Sequence, residues 1–188
     1  MSNMISNRQR AALVGVLIIA AYAMLTYTIT NHKIMGVVSD LIAGFAVIAI
    51  PLLMLPIFKS DENKTLNFSY MTARFIEGLL MLIGAIFILS PSLEAYRNTL
   101  YEHVQVYFFI AGALLFYILL YRTKVVPRFI SVWGGLATLA LFAVTILGLF
   151  GVKSQMLDVL VAPMILNELF LAIWLMVKGF DMEAVGGV

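Results

Sequence analysis

Cysteine is absent from this chain of 188 residues, and histidine occurs only twice, as His32 and His103. The first absence excludes disulfides, thiolate metal sites, iron–sulfur clusters and nucleophilic thiols. The second excludes a zinc site built on three histidines. Charge is also scarce: charged residues make up 12% of the chain, against about 25% in a soluble domain. The formal net charge of +2 is too small and too scattered for a nucleic-acid footprint. Nucleophile elbows, phosphate-cradling glycine loops and helical zinc motifs do not occur, so no cofactor is expected and an enzyme is the least supported class.

What the chain has in quantity is apolar surface. Apolar residues reach 63%, against roughly 45–50% in soluble domains, and the mean hydropathy is +1.03. So few charges cannot cover a core with polar surface, and the composition is that of an integral membrane protein. In lipid every backbone group must be satisfied within the segment, which favours helices of about 20 apolar residues. Six stretches qualify: 11–29, 37–58, 70–90, 101–121, 129–150 and 156–177. They predict an all-α fold, a polytopic bundle of six transmembrane helices forming one domain over residues 1–188. The first run follows Arg8 and Arg10 but exceeds the roughly 7–15 residues of a signal-peptide core, so it reads as a retained helix.

Lysine and arginine divide unequally between alternate connections. Arg8, Arg10, Lys59, Lys64, Arg122, Lys124, Arg128 and Lys178 fall on one side, and Lys33, Arg97 and Lys153 on the other. The bias predicts cytoplasmic N- and C-termini in a cell membrane. Tyr70, Tyr121, Trp133 and Trp174 would then mark the inner interface, with Tyr27 and Tyr101 at the outer one. Membrane lipids are the obvious partner, and the basic loop Arg122–Arg128 could grip anionic headgroups at about 1 kcal/mol per basic residue.

Ionisable groups inside a membrane cost roughly 2.5–3.5 kcal/mol each, and they are where a functional reading begins. Arg74 and Glu77 fall in the third helix, and Asn167 and Glu168 in the sixth. Arg74 and Glu77 are three residues apart and can pair on one helix face. At 1.5 Å per residue, Glu77 lies roughly 10 Å and Glu168 roughly 14 Å from the inner ends of their helices. The matched heights predict neighbouring third and sixth helices, with Arg74 between the two carboxylates. One negative charge is left over, which a proton, a bound cation or a cationic ligand would neutralise. Arg74, Glu77, Asn167 and Glu168 are therefore the candidate ligand- or ion-binding residues, and a purely structural cluster joining two helices is the competing reading.

Other features carry less. Pro51 and Pro56 in the second helix and Pro163 in the sixth each remove a backbone donor, and a kink at Pro163 would bring freed carbonyls near Glu168. Asp40, Glu102 with His103, and Asp158 open helices at the outer face, where acids complement the positive helix end. A metal site from Asp40, His103 and Asp158, of the kind that activates water in intramembrane hydrolases, is a weak alternative.

Three segments resemble a known family: TARFIEG at 72–78, LLYRTKVVPRFISVWG at 119–134, and NELFLAIWLMVKGF at 167–180 after Pro163. Their order and spacing are similar to those of bacterial multi-pass membrane proteins catalogued as domain of unknown function 4386. The resemblance implies a six-helix inner-membrane protein and implies no activity. The functional expectation is the binding or passage of an ion, a proton or a small amphipathic molecule. The alternatives are an accessory protein that modulates a membrane partner or forms a homo-oligomer, and an intramembrane lipid-modifying enzyme.

Overall fold

The computed structural model describes residues 5–152, 157 and 159–182. Its elements are helical throughout the described residues, and five helices are long and apolar enough to cross a membrane: Asn7–Thr30, Lys33–Met54, Asp61–Leu89, Tyr96–Thr123 and Arg128–Leu149. A sixth, Ala162–Val177, is apolar and shorter. We number these as the first to sixth spans.

Local chemistry sets the span ends. Ser6 and Gln9 form a reciprocal capping box at the start of the first span, with Gln9 N–H on Ser6 Oγ at 3.2 Å and Ser6 N–H on Gln9 Oε1 at 3.0 Å. Asn31, in the left-handed conformation at φ 52°, ends that span, and Lys124 at φ 55° ends the fourth. Besides the 3₁₀ turn at Asp61–Asn63 that opens the third span, two spans depart from regular α-helix. The first tightens into a short 3₁₀ turn at Tyr22–Met24, and the fourth widens into a π-helical turn at Tyr101–Gln105. Such turns re-aim side chains and recur at functional sites.

Each span packs on the next, and the sixth packs back on the first, so the six close into a ring. The second and third spans come close at Gly44 and Gly78, where a Cβ on Gly78 would lie 2.8 Å from Gly44 O. Small residues permit that backbone proximity, which is how helices gain contact in lipid. The third and sixth spans stand opposite each other across the ring, which corrects the expectation that they are neighbours. Matching depths established equal height but not position around the ring.

The hydrophobic core fills the end of the ring where the N-terminus lies. Tyr70 and Phe116 stack there with ring centroids 5.4 Å apart, and Phe58 meets both edge-on, above Leu119, Leu120, Val125 and Ile130. Tyr70 is fully buried in this plug and is not an interfacial aromatic as the sequence suggested. At the same end, Arg8 Nη2 donates to the carbonyls of Met176 and Val177, and Arg10 Nη1 to that of Leu53. The two arginines thus cap the C-terminal ends of the sixth and second spans.

The prolines also fall differently from expectation. Pro51 lies inside the second span, but Pro56 follows its end and Pro163 occupies the first turn of the sixth. A proline in the first turn removes no helical hydrogen bond, so Pro163 frees no carbonyl toward Glu168.

Candidate binding cavity

Above the aromatic plug the ring does not fill. A cavity of about 390 Å³ lies between the spans and runs from Tyr70 and Phe116 toward the opposite end. Most of its wall is apolar, including Ile18, Val47, Ile50, Met81, Leu141 and Met164. The exposed residues Leu25, Asn98 and Glu102 stand where the lining reaches the surface. The volume falls within the roughly 300–1,000 Å³ of small-molecule sites.

Two polar clusters interrupt that wall. The deeper one begins at Arg74, whose Nη1 donates to Glu77 Oε2 at 2.8 Å. Glu77 is only 1% exposed, and its other oxygen accepts from Gln105 Nε2 at 3.3 Å. Gln105 ends the π-helical turn, so the extra residue in that turn helps bring an amide to Glu77. Glycine makes room for the arginine: a Cβ at Gly112 would lie 3.0 Å from Arg74 Nε. Arg74 also rests against aromatic rings, 5.4 Å from the Phe109 centroid and 6.0 Å from that of Tyr70.

Glu168 enters the cavity from the other side of the ring. Its Oε2 accepts from the Tyr22 hydroxyl at 2.6 Å, and the carboxylate is half-buried. Tyr22 opens the 3₁₀ turn of the first span. Arg74, Glu77 and Glu168 therefore share one cavity, but the direct ion pair is Arg74–Glu77 alone among the described residues. Asn167 turns away from them. Its Nδ2 donates to Ile130 O at 3.0 Å and binds the sixth span to the fifth.

Four buried groups on the cavity wall have no hydrogen-bond partner among the described residues: Arg74 Nε, Tyr70 Oη, Tyr101 Oη and Tyr117 Oη. An unsatisfied buried polar group costs about 1–3 kcal/mol, so four on one wall are a costly concentration. Tyr22, Gln105 and Tyr117 escaped the sequence reading because none carries a charge. A tyrosine near the middle of an apolar run, away from either interface, was the available signal for Tyr22.

The second cluster lies nearer the opposite end. Arg97 is 1% exposed and donates to both oxygens of Asp40, from Nε at 2.8 Å and Nη2 at 2.7 Å. It also donates to Met24 O, Thr28 Oγ1 and Asn98 Oδ1. The Tyr101 and Tyr27 rings flank it at 4.3 and 5.1 Å. Asp40 therefore lies inside the second span and does not cap it, and both its carboxylate oxygens accept from Arg97. His103 is exposed, Asp158 lies outside the described residues, and no metal-type cluster of histidine and carboxylate side chains forms among the described residues. Arg97, assigned to a loop on sequence grounds, is one of the largest fully buried side chains.

Outside the spans, Glu94 fastens the connection between the third and fourth. It accepts from Lys33 Nζ at 2.6 Å and from the Tyr27 hydroxyl at 2.5 Å. The lysine bond first, and the tyrosine bond second, hold its carboxyl below the usual carboxylate range.

Ring, plug and cavity define a polytopic helical membrane protein with a polar-studded internal pocket. A family model described as "Domain of unknown function (DUF4386)" matches residues 12–179, and the chain belongs to that family. No curated protein and no solved structure matches it.

Proposed function

We propose that the protein binds a small amphipathic molecule in this cavity, with the polar part of the ligand at Arg74 and Glu168. The observation that carries the reading is the wall itself. A mostly apolar space of about 390 Å³ presents Arg74 Nε, Tyr70 Oη, Tyr101 Oη and Tyr117 Oη without partners among the described residues, beside a half-buried carboxylate. A bare ion needs a far smaller site lined by oxygen, whereas apolar walls with a few convergent polar groups suit a small organic molecule. The plug of Phe58, Tyr70 and Phe116 closes one end, so the reading is of a site loaded from the other end.

The same reading places the protein in a bacterial inner membrane, with the plugged end cytoplasmic. Arg8, Arg10, Arg122, Lys124, Arg128 and Lys178 all lie toward that end, as the bias of cytoplasmic loops requires. Lipid would cover the outer faces of the ring.

The test is binding to purified protein in lipid nanodiscs, read by thermal stabilisation against a panel of amphiphiles. Ile50→Trp fills the space beside the polar cluster. The expectation is saturable stabilisation of the wild type and loss of it in the folded variant. Equal binding by wild type and Ile50→Trp, or no stabilisation by any amphiphile, would overturn the reading.

A further inference from the structure

Charges on and behind the cavity wall do not balance. Two guanidinium groups, Arg74 and Arg97, stand against four carboxylates: Glu77, Glu102 and Glu168 on the wall, and Asp40 behind Arg97. Pairing accounts for Asp40 with Arg97 and for Glu77 with Arg74. Glu102 is exposed at the mouth, where its surroundings can screen it. Glu168 remains, deep in the bundle with only a tyrosine hydroxyl on it among the described residues.

Among the described residues, the groups around Glu168 do not supply the missing positive charge. The first span presents Tyr22, the third Arg74 already paired to Glu77, the fourth Tyr117, and the fifth only apolar Leu141. A lone ionised carboxylate in low dielectric is strongly disfavoured, so it must hold a proton or face a cation. Aromatic rings of Tyr22, Tyr70, Phe116 and Tyr117 line the same space and suit a bulky organic cation.

Resting on the amphiphile reading above, we propose that the ligand is a lipophilic monocation and that it enters in exchange for a proton on Glu168. In the empty cavity Glu168 is the neutral acid, donating or accepting at Tyr22. When the cation binds, Glu168 ionises, its proton leaves to the medium, and the carboxylate faces the positive head group. The net charge of the site is then the same loaded and empty.

The experiment uses the full chain in nanodiscs and three probes with one alkyl chain, ending in trimethylammonium, tert-butyl or sulfonate. The first two heads have nearly the same shape, so charge alone separates them. In alkaline buffer the trimethylammonium probe is expected to bind at least about tenfold more tightly than either other probe, a difference of about 1.4 kcal/mol. Its affinity should fall as pH is lowered, by up to about tenfold per pH unit, because protons compete for Glu168. A pH dye in weak buffer should report one proton released per cation bound.

Glu168→Gln should lose both the charge preference and the proton release. Gly135→Ala, off the cavity wall with open space at its missing Cβ, should keep the preference. Equal binding of the cationic and neutral probes, tighter binding of the sulfonate, or cation binding without proton release would each overturn the exchange. Those outcomes stand on the wild type alone if Glu168→Gln does not fold. Failure of all three probes would instead overturn the amphiphile site.

Discussion

Arg97 and Asp40, 57 residues apart in sequence, meet through two parallel hydrogen bonds of 2.8 and 2.7 Å with neither side chain exposed. The fork of the guanidinium matches the carboxylate, and this ties the start of the fourth span to the second. Arg74 is the contrasting case, since a single bond to Glu77 leaves its Nε without a partner among the described residues. One arginine is fully committed to the fold, and the other keeps donor capacity toward the cavity.

Removing one partner of the committed pair leaves a buried charge alone. Asp40→Ala is expected to destabilise the protein by about 3–5 kcal/mol. Replacing both residues with leucine removes the charge together with its partner and should recover most of that loss. Thermal unfolding of the purified variants in detergent measures both. A double variant no more stable than Asp40→Ala would show that the pair contributes more than mutual neutralisation.

Gly134 is where the fifth span makes room for Tyr117. A Cβ there would overlap the tyrosine ring and lie 2.6 Å from Asn167 Oδ1. Gly134→Ala should therefore cost about 1–3 kcal/mol by overpacking. It should also weaken ligand binding, because Tyr117 lines the cavity. Gly135, with open space around its missing Cβ, is the control, and Gly135→Ala should leave both properties unchanged.

The Glu94 fastening responds to acid. Its carboxyl is held below its usual range by Lys33 and Tyr27, so the folded state binds the proton more weakly than the unfolded one. The contribution is present above the ordinary carboxylate pKa of about 4.3 and is lost as pH falls through the lowered folded value. Amide hydrogen exchange at residues 90–95 should accelerate in that acid range, and Glu94→Gln should show the faster exchange at neutral pH. A pH-independent exchange rate in the wild type, after correction for intrinsic chemistry, would rule the fastening out.

Arg8 caps the sixth span from the first. Arg8→Ala loses two bonds to the terminal carbonyls and is expected to cost about 0.5–1 kcal/mol. Arg8→Lys keeps the charge near the helix end and should retain part of that. Thermal unfolding of the three proteins at low and high salt distinguishes a charge effect from simple packing.

The spans were legible because lipid imposes one requirement, a long apolar helix, that composition reports directly. Their ends were less so. Polar residues near an end lower the local hydropathy, so the second span reads as beginning at 37 when the helix begins at Lys33. Asp40 then looked like a residue at a helix opening, although it lies two turns in and is fully buried. The fourth span repeats the effect: its apolar run begins at 101, which left Arg97 in a loop, whereas helix is already present at Tyr96.

For the cavity, charge located Arg74, Glu77 and Glu168, because these fell farthest from the span ends read from the sequence. Spacing alone foretold the Arg74–Glu77 pair, since residues three apart on a helix must meet. Tyr22 and Gln105 depend on local departures from α-helix, a 3₁₀ turn and a π turn, that leave no mark in an apolar run. Asn167 shares its helix with Glu168 but lies about 100° around it, enough to face the fifth span instead.

The closed ring has a consequence for how the chain is made. If spans leave the ribosome in order, each after the first would meet a packing neighbour that precedes it in the chain. Arg74 and Glu77 arrive on one helix as a neutral unit, and Arg97 enters after Asp40 is in place. The sixth span comes last, bringing Glu168 to Tyr22 of the first, and only then does the enclosure exist. A nascent chain halted before the sixth span would hold every element of the pocket except the wall that carries its unpaired acid.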